Sequence, residues 1–352
     1  MRSLDQRPFE SMVSKQTQAR MSARIPRQPS SNHIGSYSDD DDKDDTSSTR
    51  VLLSPAKSYR YENGRRYHSY RDGSYWGPND DKDAYHQVIT HHLFCLTLKD
   101  KLLLAPISNP RHVLDIGTGI GLWATNFADA YPDAEILGTD LSPIWEDAVR
   151  PNLRLEVDDC CSKWTYLDEG RQPFDLIHVR CLFGSVEDWP TFYEQSFDHL
   201  RPGGYIEQAE MSLVPHSLSG EYSSSLSIFH QWYQFWKQCG VKTGKSWHIA
   251  DTMQQAMREA GFEDVREVRF KWPIGTWASD ARLREIGRWY REFWEVGMEG
   301  WIMALSTRYM GWTADQAREF IRKTQEVLRD GEQRIYYEVV IVYGRKPEDS
   351  GR

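Results

Sequence analysis

Short apolar runs separated by polar turns alternate with stretches of helical periodicity through most of the chain. A run that begins at Val113 breaks into a glycine-rich turn and then into a helical pattern. Each of the runs that follow has the length of a strand buried on both faces. These runs cover 134–138, 153–157, 173–180, 200–207, 265–270 and 335–343. Because the runs alternate with helical stretches, the pattern predicts an α/β domain with a mostly parallel sheet.

Helical periodicity also appears outside this alternation. It predicts helices over 82–104, before the first strand, and over 220–240 and 252–260, before the last two strands. Between those last two strands, 272–331 is predicted to be a helical insertion rich in Trp and Tyr. Aromatic residues at helical spacing usually belong to the core, so only a few of them are expected to contact a substrate. We expect the helices of 82–104 and 272–331 to cap a pocket at the sheet.

The first 55 residues differ from the rest in composition. They lack hydrophobic periodicity, and an acidic run spans Asp39 to Asp45. Such a segment cannot bury enough apolar surface to offset the entropy lost on ordering. The sequence therefore predicts a disordered tail over 1–55, a folded domain over 56–347 and a short C-terminal tail over 348–352. The functional alternative for the first tail is a segment that binds regulatory protein partners.

Charge and cysteine content exclude several classes of protein. A net charge of -9 argues against direct nucleic-acid binding, which needs a basic face. The 5 cysteines are odd in number and lack C-x-x-C spacing, so neither a disulfide framework nor a metal site is expected. No apolar stretch approaches the roughly 20 residues of a membrane span, and no signal core begins the chain. We expect a cytoplasmic or nuclear protein without a membrane partner.

The turn after the first strand carries the most specific signal. Asp115 is followed by Gly117, Gly119 and Gly121, which gives the spacing D-x-G-x-G-x-G. Glycine tolerates left-handed backbone conformations and has no side chain, so a cofactor can lie directly on this turn. The dinucleotide-binding fingerprint is G-x-G-x-x-G, and here the third glycine comes one residue early. The spacing resembles motif I of class I S-adenosylmethionine-dependent methyltransferases, with a nucleotide-dependent oxidoreductase as the less favoured alternative.

Acidic residues follow the next two strands. Asp140 ends the second strand, where such folds place a carboxylate that accepts hydrogen bonds from a ribose. The third strand ends at Asp158, Asp159 and Cys160. In the methyltransferase pattern this corner carries the acid that receives the adenine amino group, and the register favours Asp159. The alternative for each acid is that it merely caps a turn.

Further motifs narrow the resemblance to one family. The fourth strand contains Phe-Asp-Leu-Ile, and Leu-Arg-Pro-Gly-Gly leads into the fifth, as in the class I methyltransferase series. Five further motifs lie at 62–70, 75–80, 91–94, 184–190 and 343–347. Through them the chain resembles the LaeA-like methyltransferases of filamentous fungi from about Tyr61 to Pro347. Thr118 stands where that family commonly has Cys, and this exchange of one small polar group for another does not put cofactor binding in doubt.

The resemblance implies a class I methyltransferase fold, Rossmann-like, with a seven-stranded mostly parallel sheet closed by two antiparallel strands and covered by helical caps. It implies S-adenosyl-L-methionine as cofactor and a segment over 65–80 that folds across the cofactor pocket. It also implies either an enzyme that methylates a small metabolite or a LaeA-type nuclear regulator acting through protein partners. The cofactor-binding residues that we predict are Asp115, Gly117, Thr118, Gly119, Gly121, Asp140, Leu141, Asp158, Asp159, Cys160 and His178.

Methyl transfer requires a positioned acceptor and, for a hydroxyl or protonated amine, a nearby base. His178 and Glu210 are the candidates near the ends of the fourth and fifth strands, and His216 lies just beyond. For His178, packing against a helix inside the sheet is an equally good interpretation. The choice among the three stays open at the level of sequence.

Overall fold

The computed structural model of the chain describes residues 59–145, 150–218, 227–330 and 334–349. The tail predicted over 1–55 lies outside the described residues, as do the final residues 350–352.

A short antiparallel hairpin opens the described chain, and the remaining strands form one sheet of eight strands. The hairpin consists of β1 (Arg60–Glu62) and β2 (Arg65–Tyr67). The sheet strands are β3 (His112–Ile116), β4 (Glu135–Asp140), β5 (Leu153–Val157), β6 (Phe174–Arg180), β7 (Leu200–Met211), β8 (His216–Ser217), β9 (Glu263–Pro273) and β10 (Ile335–Arg345).

The sheet follows the order β5, β4, β3, β6, β7 and β10, and both β9 and the short β8 also pair with β10. Strands β3 to β7 pair in parallel, whereas β10 is antiparallel to β7 and to β9. This confirms the predicted mostly parallel sheet and its antiparallel closure. The two-residue β8 makes the sheet eight-stranded rather than seven-stranded. Because β3 to β6 are parallel, the residues that follow them meet at one edge of the sheet.

Seven α-helices lie among the described residues. They are α1 (Asp81–Leu98), α2 (Leu122–Ala130), α3 (Trp189–His199), α4 (Ile228–Thr243), α5 (Met253–Glu259), α6 (Ala281–Tyr309) and α7 (Ala314–Asp330). Helix α1 ends at Leu98 rather than continuing to 104, because Lys99 and Asp100 adopt left-handed φ angles of 57° and 60°. Strand β9 extends through Pro273, so the helical insertion begins after that residue. No helix of the described ranges is both long and apolar enough to cross a membrane.

Apolar side chains of α2 pack on β3, β4 and β6 and form a core next to the glycine turn. The rings of Trp123 and Phe127 stack with centroids 4.7 Å apart within this core. The residues that complete it are Val113, Ala124, Ala128, Ala134, Ile136 and Leu176. Burial of this face holds α2 firmly against the sheet and so fixes where the turn between β3 and α2 lies.

Two glycines bring the insertion helix α6 into contact with the turn that follows β9. The backbone N–H of Gly275 donates a hydrogen bond of 3.0 Å to the carbonyl oxygen of Gly287. A Cβ atom on Gly287 would overlap the carbonyl oxygen of Gly275. Only glycine therefore permits this approach of helix to turn, which attaches the insertion to the edge of the sheet.

We predict that Gly287→Ala lowers the free energy of unfolding by about 1–3 kcal/mol, because the added methyl group forces α6 away from the turn. The matched control is Gly240→Ala in α4, where the nearest atom to a new Cβ is the Lys245 carbonyl oxygen at 3.5 Å. That change should raise stability by roughly 0.5–1 kcal/mol through helix propensity alone. Thermal denaturation of both variants measures the difference, and a stabilising effect at Gly287 would contradict the packing argument.

Candidate active site

A cavity of about 200 Å³ opens at the edge where the parallel strands end. Its wall combines the glycine turn, the ends of β4, β5 and β6, one face of α1 and part of α6. Most of the predicted cofactor-binding residues lie on this wall. They are Gly117, Thr118, Gly119, Asp140, Leu141, Asp158, Asp159 and Cys160. The predicted residues outside the lining are Asp115, Gly121 and His178.

The glycine turn has the backbone conformation that a cofactor cradle needs. Gly117, Gly119 and Gly121 have φ angles of 69°, 59° and 79°, all in the left-handed region that favours glycine. A Cβ on Gly117 would come within 2.5 Å of the Leu182 side chain, and one on Gly119 would overlap the Gln87 amide oxygen. Gly121 is the N-cap of α2. The turn therefore lines the cavity without side chains of its own at these three positions, and the Leu182 and Gln87 side chains pack directly against its backbone.

The carboxylate of Asp140 holds this turn in place. One oxygen accepts the Gly119 N–H at 2.9 Å, and the other accepts the Ser142 N–H at 3.0 Å. Burial raises the pKa of Asp140 above its usual value. The side chain thus organises two turns while it lines the cavity, and its binding to a ribose stays a prediction.

Behind the turn, Asp115 and His178 form a buried pair. Their strands place them directly opposite each other, and His178 Nδ1 lies 2.7 Å from an Asp115 oxygen. The other Asp115 oxygen accepts the Thr118 hydroxyl at 2.6 Å. The Trp123 ring lies flat on the imidazole at 3.6 Å, and burial lowers the pKa of His178. The pair supports the turn from inside the sheet, and contact of either residue with the cofactor stays a prediction.

The two acids after β5 have different surroundings. Asp158 accepts the Tyr166 hydroxyl at 2.5 Å and the Asp159 N–H at 2.8 Å. Asp159 accepts the Cys161 N–H at 2.9 Å, and its second oxygen pairs with Arg71 at 2.9 Å. Both acids therefore accept hydrogen bonds within this corner as well as lining the cavity, and a contact of either with adenine stays a prediction.

The same corner contains a candidate group of metal ligands. One atom each of Asp159, Cys160 and Cys161 lie within 4.8 Å of one another. Both oxygens of Asp159 are already bonded, to the Cys161 N–H and to Arg71. We assign no metal role to this group.

A segment before α1 covers the cavity, as the resemblance implied. We call residues 68–79 the N-terminal flap. The Trp76 indole N–H donates to the Phe183 carbonyl oxygen at 3.2 Å, which ties the flap to the chain after β6. Arg71, whose side chain is 49% exposed, ties it to Asp159 at the end of β5. The flap residues on the cavity wall are Ser74, Tyr75, Trp76, Pro78 and Asn79.

The insertion supplies four of six aromatic residues that line the same cavity as the glycine turn. We define the aromatic wall as Trp236 of α4, Tyr290, Phe293, Trp294 and Trp301 of α6, and Tyr337 of β10. These rings pack against one another. The ring centroids of Trp294 and Trp301 are 5.2 Å apart, and those of Phe293 and Trp301 are 5.0 Å apart. More aromatic residues of the insertion line the cavity than the sequence led us to expect, because α6 packs against α1 at its rim.

The other candidate bases do not line this cavity. Glu210 is fully buried and accepts the backbone N–H groups of Leu182 at 3.0 Å and Phe183 at 3.3 Å. Burial raises its pKa to about 7. His216 lies in β8, and its ring stacks on Tyr336 at 5.1 Å. A direct catalytic role for either residue stays a prediction.

Residues of α1 on the wall were not among the predicted site residues. Asp83, His86, Gln87 and Thr90 share one face of this helix and line the cavity. Their spacing of three and four residues is the only signal for them in the sequence, and it indicates a common face without indicating what that face meets. Arg180 at the end of β6 was also missed, because its position at a strand end does not by itself indicate that its side chain meets the cavity.

Comparison with known proteins identifies the family. A family described as a methyltransferase domain matches residues 89–267. Methyltransferase pytC of Aspergillus terreus is 36% identical over 307 residues, 86% of this chain and 93% of that protein. Secondary metabolism regulator LAE1 of Cochliobolus heterostrophus is 33% identical, over 84% of this chain and 97% of that protein. Protein-methionine methyltransferase laeA of Emericella nidulans is 30% identical, over 84% of this chain and 78% of that protein.

The chain belongs to the LaeA-like methyltransferase family. It is an enzyme of the class I methyltransferases, and its cofactor is S-adenosylmethionine. The oxidoreductase alternative is therefore wrong. The site fits this LaeA-like assignment, because three left-handed glycines form the turn at the cavity and the half-buried Asp140 lies on the same wall.

We predict that Asp140→Ala weakens binding of S-adenosylhomocysteine more than tenfold, because charge-assisted hydrogen bonds are worth about 1.5–3 kcal/mol each. Titration calorimetry measures the loss. Asp133→Ala is the matched control, since its side chain is 82% exposed in a turn outside the cavity. Unchanged affinity of the Asp140 variant would contradict both a ribose contact and a need for this carboxylate in holding the turn.

Proposed function

We propose that this enzyme methylates a flat, largely apolar small molecule that carries a hydroxyl group, within secondary metabolism of the cytoplasm or nucleus. The observation that carries the proposal is the continuity of one cavity from the glycine turn to the aromatic wall. Aromatic rings bind flat apolar molecules through area burial and ring stacking. An acceptor held there would face the cofactor across the cavity.

When bound, S-adenosylmethionine supplies a methyl group already activated by a positively charged sulfur. The chain's own contribution is then to position the acceptor and to exclude water, and positioning alone can be worth about 7–11 kcal/mol. The flap and the aromatic wall enclose the cavity for this purpose. Such enclosure favours a small acceptor over a folded protein surface.

His86 is our candidate for contact with the acceptor hydroxyl. Its imidazole lies among the cavity residues, 4.3 Å from the Phe293 ring and 5.5 Å from the Trp301 ring. Burial lowers the pKa of His86 to about 3, so the ring is neutral at physiological pH. A neutral imidazole can accept a hydrogen bond and orient a hydroxyl.

Arg180 lies at the boundary between this cavity and a smaller one lined by His91 and Phe94. Its guanidinium lies over the Phe94 ring at 5.0 Å and 3.3 Å from His91 Nδ1. Among the described residues, no carboxylate forms an ion pair with it. An unpaired guanidinium favours the ionised form of a nearby hydroxyl, which is the better nucleophile.

Isotope labelling tests the proposal directly. The protein is incubated with methyl-labelled S-adenosylmethionine and a fungal metabolite extract, with Asp140→Ala as the cofactor-binding control. We expect label in a small aromatic product with the wild type and none with the variant. Label confined to protein, or label in no product at all, would contradict a small-molecule acceptor.

A LaeA-type regulator is the second candidate, favoured by the 33% identity to Secondary metabolism regulator LAE1. In this alternative, protein partners bind the tail over 1–55. A chain that begins at residue 56 separates the two candidates. It should retain metabolite methylation if the enzyme proposal is correct, whereas a regulator would lose its effect on metabolite production in cells while still binding S-adenosylhomocysteine.

We predict that His86→Phe lowers kcat at least tenfold with little change in affinity for S-adenosylhomocysteine, since the ring packing is kept and only the nitrogen atoms are lost. Because its pKa is about 3, His86 should impose no pH dependence on kcat between about pH 5 and 8. Steady-state kinetics with the acceptor that the labelling experiment identifies measure the effect, and melting curves verify that the variant folds. An unaltered kcat would remove His86 from the mechanism.

A further inference from the structure

A carboxylate of α1 faces the cavity beside the glycine turn and lacks a cation. Asp83 lines the cavity, and the one hydrogen bond that its side chain forms with any described residue is from the Gln87 amide, 2.8 Å from one carboxylate oxygen. Within the described ranges, Asp83 forms no ion pair. A carboxylate held away from bulk water without a positive partner is costly, so this position calls for a cation from a ligand.

Gln87 connects this carboxylate to the cofactor turn. Its amide oxygen accepts the Ile120 N–H at 3.0 Å and lies where a Cβ on Gly119 would be. Its amide nitrogen donates to Asp83 one helical turn earlier. Asp83 is therefore linked to the glycine turn through the single side chain of Gln87.

The charged groups around Asp83 leave it unneutralised. Arg65 on β2 is close enough to influence it, but both oxygens of Asp80 accept from Arg65, at 2.6 and 2.8 Å. Asp80 and Asp140 add negative charge, and Tyr75 on the flap is neutral because desolvation raises its pKa well above the usual value. Burial raises the pKa of Asp83 to about 7. A cationic ligand would reverse this shift.

We propose that Asp83, oriented by Gln87, binds the primary ammonium group at the aminoacyl end of the cofactor. Asp140 serves the adenosine part of the same ligand, so the two carboxylates divide the cofactor between them. The inference rests on the methyltransferase assignment and not on the identity of the methyl acceptor.

The test compares two ligands that differ only at this end. S-adenosylhomocysteine carries the ammonium group, whereas 5′-methylthioadenosine retains the adenosine and thioether and lacks the aminoacyl group. In titration calorimetry, Asp83→Asn should weaken S-adenosylhomocysteine binding by about tenfold to a hundredfold and leave 5′-methylthioadenosine binding unchanged. Asp81→Asn, an exposed acid on the same helical turn, is the control and should change neither affinity.

A measurement on the wild type keeps the inference testable even if the variant fails to fold. Because only the ionised carboxylate pairs with ammonium, affinity for S-adenosylhomocysteine should rise as pH increases from 6 to 8, with proton release that is detected by repeating the calorimetry in buffers of different ionisation enthalpy. Binding of 5′-methylthioadenosine should release no proton.

If Asp83→Asn lowers the affinity for both ligands equally, Asp83 only supports the turn, and the inference is overturned. Proton-neutral binding of S-adenosylhomocysteine by the wild type would overturn it as well. No acceptor is present in these titrations, so their outcome is independent of whether a small molecule or a protein receives the methyl group.

Discussion

The turn between β3 and α2 is held by hydrogen bonds to the neighbouring strand β4, whose Thr139 carbonyl oxygen accepts the Gly117 and Thr118 N–H groups at 2.9 Å. The Asp140 carboxylate accepts the Gly119 N–H at 2.9 Å, and the parallel pairing of β3 with β4 brings the two together. Three left-handed glycines cost conformational entropy that local sequence does not recover, so an external partner must fix the turn. The flap, α1 and the aromatic wall all pack around the space that this fixed turn defines.

The sequence predicted the parts of the site that local rules determine. Glycine spacing and acids at strand ends are local signals, and parallel pairing brings them to one edge whatever the loops do. His86 and Asp83 were missed because their role depends on how α1 packs across the sheet, which no local pattern encodes. The early end of α1 was missed for a different reason. Lys99 and Asp100 adopt left-handed φ angles, but they are not residues, such as glycine, that mark such a conformation in a sequence.

The insertion shows why a distinction between core and site residues is too simple here. Tyr290 and Trp294 are almost fully buried and hold α6 to its neighbours, yet they also line the cavity. Their sequence pattern is that of a core helix. That pattern correctly predicts their burial but does not predict that they line the cavity. A surface that binds ligand on one side and supports the fold on the other couples acceptor preference to stability, so changes of specificity in this wall also alter packing.

The composition of the cavity wall also determines how the protein can be observed. Four indole rings, from Trp76, Trp236, Trp294 and Trp301, line the space in which ligands bind. Indole fluorescence depends on contact with water and is quenched by stacking with purine and other conjugated rings. The chain therefore carries an intrinsic optical reporter, through which ligand entry can be followed in real time without an attached dye.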